Sequence, residues 1–344
     1  MSSRPEVPAG GAPSRAGLRG RRALVTGGAG FIGSHLVDAL AADGAAVRVV
    51  DDLSSGHREN LSSAGSAIEF VQGDIRSLET VKRACAGVEL VFHLAAVGSV
   101  PRSMKDPATT LAVNVGGTAN VLAAARDAGV ARVVYASSSS VYGDSETMPK
   151  KEGDEGRPLS PYALSKRMNE ELADVFARCY GMELIGLRYF NVFGPRQDPD
   201  GPYAAVVPRF FAACLRGEGP VVYGDGEQSR DFTFVADAVR ANLLAAAAPV
   251  SACGRADNIA GGRRVTLKEL AAAVLETVGR GTPPRYEAPR PGDIRHSLAD
   301  LSRARSELGY EATVGLSAGL RTALEHYRAR AVEDRQHPVP ARPS

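Results

Sequence analysis

The sequence predicts an α/β protein in which a doubly wound parallel sheet is followed by a smaller C-terminal lobe. Between residues 21 and 181, short apolar runs alternate with longer segments of helical periodicity. Because these runs have no polar side, they are typical of parallel strands that helices cover on both faces. Beyond Gly194 the chain is richer in proline and glycine and its elements become shorter, which indicates the second lobe.

Each apolar run is predicted to form one strand. In chain order the runs are RALVTG, AVRVVDD, IEFVQGD, ELVFHLAA, RVVYASS and ELIGLRY. Gly33–Asp43 is predicted as the helix after the first strand, and the alternation requires right-handed crossovers. The sheet domain is placed at residues 20–190, with some later segments crossing back, and the lobe at 191–328. Polar, proline-containing ends predict disordered tails at 1–19 and 329–344.

The composition argues against several classes of function. Hydrophobic residues make up 44% and charged residues 23%, as in ordinary globular proteins, and the net charge of +2 is too small to predict nucleic-acid binding. No apolar run is long enough for a membrane span, and the N-terminal segment lacks the apolar core of a secretory signal. Four cysteines without CxxC spacing predict free thiols in a cytoplasmic protein and no metal site.

The stretch VTGGAGFIGSH has the pattern of a dinucleotide-binding turn. Gly27, Gly30 and Gly33 lie between a predicted strand and a predicted helix, where glycines let the backbone approach a pyrophosphate. The free N–H groups and positive dipole end of that helix favour an anion. Asp51 ends the next strand, 18 residues after Gly33, and a carboxylate there favours NAD because it repels the 2′-phosphate of NADP. Asp74, after the third strand, either meets the adenine edge or closes a plain turn.

The helix predicted for SPYALSKRMNEELADVF carries a candidate base. Tyr162 and Lys166 are four residues apart and therefore share one helix face. A phenol ordinarily has a pKa of about 10, but a neighbouring ammonium and a positive nicotinamide would favour the phenolate. Tyr162 could then accept a proton from a sugar hydroxyl.

These features, together with the serine-rich strand end YASSSSVYGD, resemble the extended short-chain dehydrogenase/reductase family. The resemblance covers roughly residues 21–328 and is strongest to UDP-hexose and UDP-N-acetylhexosamine 4-epimerases. It also rests on the stretches HLAAVGSVPRS, LRYFNVFGPRQDPDGPYAAVVPRF, GDGEQSRDF and RPGDIRHSLAD. The resemblance implies an NAD-binding Rossmann domain at 20–190 and a UDP-sugar-binding lobe at 191–328.

The resemblance also assigns residues. It implies that Ser138, Tyr162 and Lys166 are catalytic. Besides the glycines, Asp51, Tyr162 and Lys166, the implied cofactor contacts are Phe31, Ile32, Asp52, Asp74, Ile75, Leu94, Ala95, Ala96 and Asn114. The implied substrate contacts are Ser99, Arg102, Ser138, Ser139, Ser140, Asn191, Arg230, Arg290, Asp293 and Ser297. The uracil is expected near Pro208–Phe210, and Ser139 and Ser140 either contact the sugar or only cap the strand.

The serine run also bears on the reaction. Dehydratases and decarboxylases of this family typically carry T-D-E-V-Y-G or T-S-E-V-Y-G here, and counting back from Val141 aligns their threonine with Ser138. This chain has no acid at Ser139 or Ser140. Eliminating water needs both an acid and a base, whereas inverting C4 through a 4-keto sugar needs only Tyr162 as base and Ser138 as hydrogen-bond partner.

The resemblance predicts an NAD-dependent UDP-sugar 4-epimerase. A small residue at Ser297 predicts room for the 2-acetamido group of UDP-GlcNAc and UDP-GalNAc, without excluding UDP-Glc and UDP-Gal. The alternatives are a UDP-glucuronate 4-epimerase in which Arg102 meets the carboxylate, a nucleotide-sugar dehydratase or decarboxylase, and a non-catalytic NAD-binding regulator. The resemblance further implies a homodimer formed by the Tyr162 helix and Val113–Gly129, with no nucleic-acid or membrane partner.

Overall fold

The computed structural model describes residues 18–200, 204–289 and 295–336. The strands are β1 (Arg22–Thr26), β2 (Ala46–Asp51), β3 (Ile68–Gln72), β4 (Leu90–His93), β5 (Arg132–Ser138), β6 (Glu183–Tyr189), β7 (Val192–Phe193), β8 (Val221–Tyr223), β9 (Ser229–Asp231), β10 (Thr233–Phe234), β11 (Arg255–Ile259), β12 (Arg264–Thr266) and β13 (Arg285–Glu287). The α-helices are α1 (Phe31–Ala42), α2 (Leu78–Cys85), α3 (Val100–Lys105), α4 (Pro107–Leu111), α5 (Gly117–Asp127), α6 (Pro161–Tyr180), α7 (Val206–Leu215), α8 (Val235–Ala247), α9 (Leu267–Val278), α10 (Ser302–Leu308) and α11 (Leu316–Gln336).

The central sheet has seven parallel strands in the order β11-β6-β5-β4-β1-β2-β3. All six predicted strands are therefore confirmed, and the predicted first helix begins two residues earlier, at Phe31. The seventh strand, β11, comes from the later part of the chain and pairs with β6. The strand order reverses direction between β1 and β4, and in such sheets the ligand lies outside the carboxyl ends of the strands at that point.

Apolar helix faces cover both sides of this sheet. On one side α1 and α8 supply Leu36 and Ala241 to a core in which both are fully buried. On the other side α2, α5 and α6 form a second core that includes Leu122 and Ala173. Because both faces of the strands are buried, the fold is the doubly wound α/β class that the apolar runs predict.

The second lobe has a separate core. Phe210 and Phe211 of α7 pack with Val274 of α9 and Leu324 of α11. Three small two-stranded sheets, β10-β7, β12-β9 and β13-β8, surround it. β11 lies in the main sheet and α8 packs against it, so the chain crosses between the sheet domain and the second lobe more than once.

The predicted tails need correction at their boundaries. Leu18 is 6% exposed and packs into the core beneath α1, so the tail predicted for 1–19 is wrong at this residue. Helix α11 continues to Gln336, so the tail predicted from residue 329 is wrong for the first eight positions. Residues 1–17 and 337–344 lie outside the described residues.

Two further observations concern membranes and thiols. No helix in the described part of the chain is long and apolar enough to cross a membrane. All four cysteines lie in the described ranges as free thiols, with Cys179 exposed and Cys85 and Cys214 buried. Burial raises the pKa of the Cys85 thiol to about 11, so this group is inert packing at neutral pH.

Candidate active site

The glycine-rich turn after β1 is shaped by contacts that only glycine permits. A Cβ at Gly33 would lie 2.1 Å from the Gly27 carbonyl oxygen, so the first turn of α1 sits directly on the turn. Gly27 has φ +71°, and a Cβ there would lie 2.7 Å from the Ala95 nitrogen. Gly30 caps α1 with extended backbone and without a side-chain hydrogen bond. The first amides of α1, including those of Phe31 and Ile32, are therefore available to an anion.

Asp51 connects this turn to the end of β2. Its two carboxylate oxygens accept hydrogen bonds from the amides of Ala29 and Leu53, each at 2.9 Å. Asp51 is only 7% exposed, and burial raises its pKa. Asp52, its neighbour, is exposed and accepts from the Ser54 amide. Asp51, the carboxylate predicted to hold the ribose, thus lies against the glycine turn. Each of its oxygens has a further lone pair that can accept a hydrogen bond from a ligand hydroxyl.

The segment after β4 completes the same edge of the sheet. Leu94 donates its amide to the Thr26 carbonyl at 3.1 Å, and Ala95 donates to the Thr26 hydroxyl at 3.4 Å. Ala95 also contacts Gly27, and Ala96 follows it on the same segment. Three features of this site fit a dinucleotide. They are the free amides at the start of α1, the close backbone approach that glycine permits at Gly27 and Gly33, and the buried carboxylate of Asp51.

Two other predicted cofactor residues make protein contacts. Arg76 donates hydrogen bonds from its Nε and one terminal nitrogen to the Asp74 carboxylate, at 2.8 and 2.5 Å. This hydrogen bonding lowers the pKa of Asp74. Ile75 is 5% exposed and packs against Gly117 at the start of α5. Their predicted contacts with the adenine end remain predictions.

Asn114 is held by several side-chain hydrogen bonds to the protein, and its predicted contact with the cofactor remains a prediction. It lies in a π-helical turn, Ala112–Gly116, and is 1% exposed. Its side chain accepts from the Val97 amide at 2.8 Å and donates to the Val97 carbonyl and to Ser165 Oγ at 3.2 and 3.0 Å. Because these bonds join the segment after β4 to α6, we propose that Asn114 holds the two together.

The three predicted catalytic residues come together where β5 meets α6. Ser160 caps α6 by accepting from the Ala163 amide, which places Tyr162 in the first turn. Lys166, one turn later, donates to the Ala136 carbonyl at 2.9 Å and lies 6.0 Å from the centre of the Tyr162 ring. Ser138 is the last residue of β5, and its hydroxyl is near enough to Tyr162 to lower the pKa of the phenol.

The electrostatics of this group are set mainly by burial. Burial raises the pKa of Tyr162, and the hydrogen bond with Ser138 acts in the opposite direction. Burial lowers the pKa of Lys166 to about 8, against the charge of Glu170, which raises it. At neutral pH Lys166 is mainly an ammonium, and a positive charge beside Tyr162 favours the phenolate form of that side chain.

The four serines differ in environment. Ser137 is 3% exposed and its hydroxyl donates to Glu170. Ser138 Oγ also accepts from the Ser140 amide at 3.1 Å, which starts the 3₁₀ turn Ser139–Tyr142. The Ser140 hydroxyl is buried without a protein partner among the described residues. The capping side chain is thus Ser138 rather than Ser139 or Ser140, and the sugar contacts of these two serines remain a prediction.

His93 is a buried polar residue near this site that the motifs did not indicate. Its Nδ1 lies 2.7 Å from Thr26 Oγ1, and its Nε2 lies 2.9 Å from Thr118 Oγ1. Thr118 donates its hydroxyl to the Asn114 carbonyl at 2.5 Å, so its oxygen accepts from Nε2 and leaves Nδ1 to accept from Thr26. Burial lowers the pKa of His93 to about 3. The imidazole is neutral and joins the ends of β1 and β4 to the π-helical turn.

His93 predicts a loss of stability in acid. The unfolded chain protonates this imidazole below its ordinary pKa of about 6.5, whereas the folded chain does so only near pH 3. Between these values the unfolded state binds more protons, so stability falls as the pH falls. We expect His93 to contribute a loss of about 1.4 kcal/mol in the free energy of unfolding per pH unit there. Urea unfolding of His93→Asn at several pH values should show a smaller decrease of the free energy of unfolding per pH unit than in the wild type. An unchanged decrease would show that His93 is not the group responsible.

Apart from the three serines at the end of β5, the predicted substrate residues that the structure describes fall into two sets. Ser99 and Arg102 lie together at the start of α3. Ser99 directly precedes the helix and caps it, because its hydroxyl accepts a hydrogen bond from the Arg102 amide at 3.2 Å. Asn191, Arg230 and Ser297 lie in the second lobe. Asn191 donates to the Asp231 carbonyl at 3.1 Å, and the Ser297 amide donates to the Ser229 carbonyl at 3.0 Å. The contacts thus group Asn191, Arg230 and Ser297 around β9.

Two predicted substrate contacts, Arg290 and Asp293, lie outside the described residues. Pro208 and Phe210, in the predicted uracil neighbourhood, are buried on α7. Among the ranges that the structure describes, no group of His, Cys, Asp or Glu has the arrangement of a metal site.

A glycine turn at a helix start and a Ser–Tyr–Lys group at the same edge of a parallel sheet define a dinucleotide-dependent enzyme that acts on a hydroxyl group. The chain belongs to the NAD dependent epimerase/dehydratase family, whose model matches residues 23–260. NAD is therefore its cofactor.

Individual relatives are similar over nearly the whole chain. UDP-glucose 4-epimerase of Mycolicibacterium smegmatis is 42% identical over 314 residues, which are 90% of this chain and 99% of the relative. The structure of a Thermotoga maritima UDP-glucose 4-epimerase with UDP-glucose is 40% identical with a TM-score of 0.86, over 90% of this chain and 99% of that one. A UDP-N-acetylglucosamine 4-epimerase from Methanobrevibacter ruminantium, in complex with UDP-N-acetylmuramic acid, is 38% identical with a TM-score of 0.87, over 91% and 99%.

Proposed function

We propose that the protein is a UDP-sugar 4-epimerase that inverts C4 through a 4-keto intermediate. The observation that carries the proposal is the Ser138, Tyr162 and Lys166 group, which lies at the strand edge beside the dinucleotide turn. No acidic residue stands at Ser139 or Ser140, where elimination of water would need a proton donor. The named epimerase relatives, similar over nine-tenths of this chain, support the same reaction.

Each residue of the group has a distinct role in the proposal. Tyr162, as the phenolate, accepts the proton of the sugar O4 hydroxyl and returns it after inversion. Ser138 donates a hydrogen bond to O4 and stabilises the charge that develops there. Lys166 stays protonated and lowers the cost of the phenolate. NAD, which the glycine turn and Asp51 would hold, would supply a reversible hydride acceptor for C4.

The preferred sugar is proposed to be an N-acetylhexosamine, with UDP-GlcNAc and UDP-GalNAc as the pair. Ser297 is 9% exposed, and we expect its small side chain to leave room that a tyrosine ring would take up. The relative from Methanobrevibacter ruminantium is itself a UDP-N-acetylglucosamine 4-epimerase. UDP-glucose and UDP-galactose are smaller at C2 and fit the same space, so we expect them to be accepted as well.

The sugar preference predicts the effect of Ser297→Tyr. The larger ring should fill the space for the 2-acetamido group and reduce kcat/KM for UDP-GlcNAc at least about tenfold, while UDP-glucose changes by less than about threefold. Initial rates with both substrates measure the ratio. Ser297→Ala is the control and should leave the preference unchanged. Equal losses for both substrates in Ser297→Tyr would place Ser297 away from the sugar.

An NMR assay on a set of UDP-sugars tests the proposed reaction. The purified protein should interconvert UDP-GlcNAc and UDP-GalNAc without added reductant, and the set should include UDP-glucose and UDP-glucuronate. A pentose or a stable keto product would instead identify a decarboxylase or a dehydratase. Absence of C4 inversion with every UDP-hexose, hexosamine and uronate would contradict the proposal.

A homodimer through α6 is also proposed. Leu164, Met168 and Val175 lie on one face of α6 and are 43%, 39% and 41% exposed, and Met104 of α3 is 63% exposed. Large apolar side chains grouped on one helix face are typical of a protein interface. A two-fold axis would pair this face with itself.

The dimer predicts the effect of Met168→Glu. A carboxylate in the centre of the face would meet its own copy across the axis, so the variant should be monomeric where the wild type has the mass of two chains. Light scattering after gel filtration measures both. Val250, which is 65% exposed on another surface, provides the control variant Val250→Glu. A monomeric wild type, or a dimeric Met168→Glu, would exclude this interface.

A further inference from the structure

The first serine of the run is tied to the catalytic helix by a side-chain contact. Ser137 donates its hydroxyl to Glu170 Oε1. Glu170 lies on α6 one turn after Lys166 and two turns after Tyr162, so the three side chains share one face of the helix. Ser137 and Ser138 are consecutive, and a constraint on Ser137 therefore fixes where β5 presents Ser138.

Glu170 is itself held by a buried arginine. Arg188 of β6 is 6% exposed, and its Nε and one terminal nitrogen donate to the two oxygens of Glu170 at 2.9 and 2.8 Å. Its other terminal nitrogen donates to the Tyr142 hydroxyl at 3.0 Å and to Glu155. A bidentate arginine–carboxylate pair has a fixed geometry. Glu170 is thus oriented by Arg188, whose Nε donates to the same oxygen, Oε1, that accepts from Ser137.

The same arginine connects the catalytic strand to the second lobe. Tyr142 donates its hydroxyl to Asn258 Oδ1 at 2.7 Å. Asn258, on β11, donates to the carbonyls of Lys150 and Asp300 at 2.9 and 3.1 Å. Asp300 lies three residues after Ser297 on the segment that returns past β9. A continuous hydrogen-bonded path therefore runs from that segment to Ser137.

Glu170 also acts on Lys166 through its charge. It is the group whose negative charge raises the Lys166 pKa against the effect of burial. Arg188 is paired with both Glu170 and Glu155 and is not among the groups that shift the Lys166 pKa. Both the position of Ser138 and the protonation of Lys166 thus depend on one carboxylate.

We propose that Glu170, held by Arg188, is a positioning residue that sets Ser138 through Ser137. Its charge, one helical turn from Lys166, also favours the ammonium form of that lysine. The proposal rests on the proposed epimerase function for its kinetic consequence, whereas its structural part stands on the contacts alone. Neither Glu170 nor Ser137 needs to touch the sugar or the cofactor. Their substitution should therefore change kcat more than KM.

The first test measures Lys166 without using activity. The chain has six lysines, so ¹³C-labelled lysine gives few NMR signals, and the one absent from Lys166→Met identifies Lys166. In Glu170→Gln the midpoint of the Lys166 titration should fall relative to the wild type, because the neutral amide no longer favours the ammonium. An unchanged midpoint would overturn the proposal.

The second test removes only the hydroxyl of Ser137. Ser137→Ala alters no charge and should fold even if Glu170→Gln does not. We expect kcat to fall about tenfold with the substrate that the wild type inverts, while KM and bound NAD change less than twofold. Thr277→Ala removes a hydroxyl bonded only within α9 and should leave kcat unchanged. A wild-type kcat in Ser137→Ala would overturn the proposal.

The two tests separate failure of this proposal from failure of the proposed function. If the wild type inverts no UDP-sugar, the proposed function has failed, and the Lys166 titration alone decides whether Glu170 controls the ammonium. If the wild type is active and both variants behave as wild type in kcat and in titration, Glu170 and Ser137 only stabilise the fold.

Discussion

Tyr162→Phe is expected to reduce turnover about 10²–10⁴-fold, the range over which a positioned general base contributes. The ring is held in the first turn of α6 by packing and by the Ser160 cap, neither of which involves the phenol oxygen. The variant should therefore fold normally and bind NAD and the UDP-sugar within about twofold of the wild type, because the phenol oxygen acts mainly in the transition state. Steady-state rates and calorimetric binding measure the two quantities.

A second tyrosine on the same helix provides the control. Tyr180 is 51% exposed at the end of α6, against the guanidinium of Arg126. Tyr180→Phe should leave the rate unchanged. If Tyr162→Phe keeps more than about a tenth of the wild-type rate, the base is another group and the role given to Lys166 falls with it.

Gly33→Ala is expected to prevent tight binding of NAD. The added methyl would lie 2.1 Å from the Gly27 carbonyl oxygen and 2.9 Å from Gly28 Cα, so α1 must move away from the turn. Overpacking costs about 1–3 kcal/mol, which corresponds to about 5- to 150-fold in the Kd of a ligand held by this turn. The NAD released on denaturing the purified protein, relative to protein, measures the loss.

The control for this change is a glycine with free space. A Cβ at Gly315 has no neighbour within 4 Å, so Gly315→Ala should keep its full content of NAD. Equal NAD in Gly33→Ala and the wild type would show that the turn tolerates a side chain, which would remove the main argument for the cofactor site.

Much of the fold was predictable because its signals are local. Parallel strands buried on both faces are apolar throughout, so β1 to β6 are visible as runs in the sequence. Glycines before a helix, an acidic end of β2, and Tyr162 four residues before Lys166 are equally local. These patterns indicate the cofactor turn and the catalytic helix without knowledge of any distant contact.

The remaining features depend on contacts between distant parts of the chain. β11 (Arg255–Ile259) has three polar residues among its five, so it lacks the apolar run of the other strands, and its place in the sheet follows only from pairing with β6. Ser137 and Glu170 are 33 residues apart, and Arg188 is a further 18 away. Nothing in a single sequence relates such residues. The side-chain bonds of Asn114 to Val97 and Ser165 were not predictable for the same reason.

The most direct test of the central claim follows deuterium at C4. The wild-type protein is incubated with UDP-GlcNAc deuterated at C4, without added reductant, and the UDP-GalNAc formed is analysed by NMR and mass spectrometry. If inversion proceeds through the 4-keto sugar with return of the same hydride, the product carries deuterium at C4. Product with hydrogen at C4, or no inversion of any UDP-sugar offered, would contradict the account.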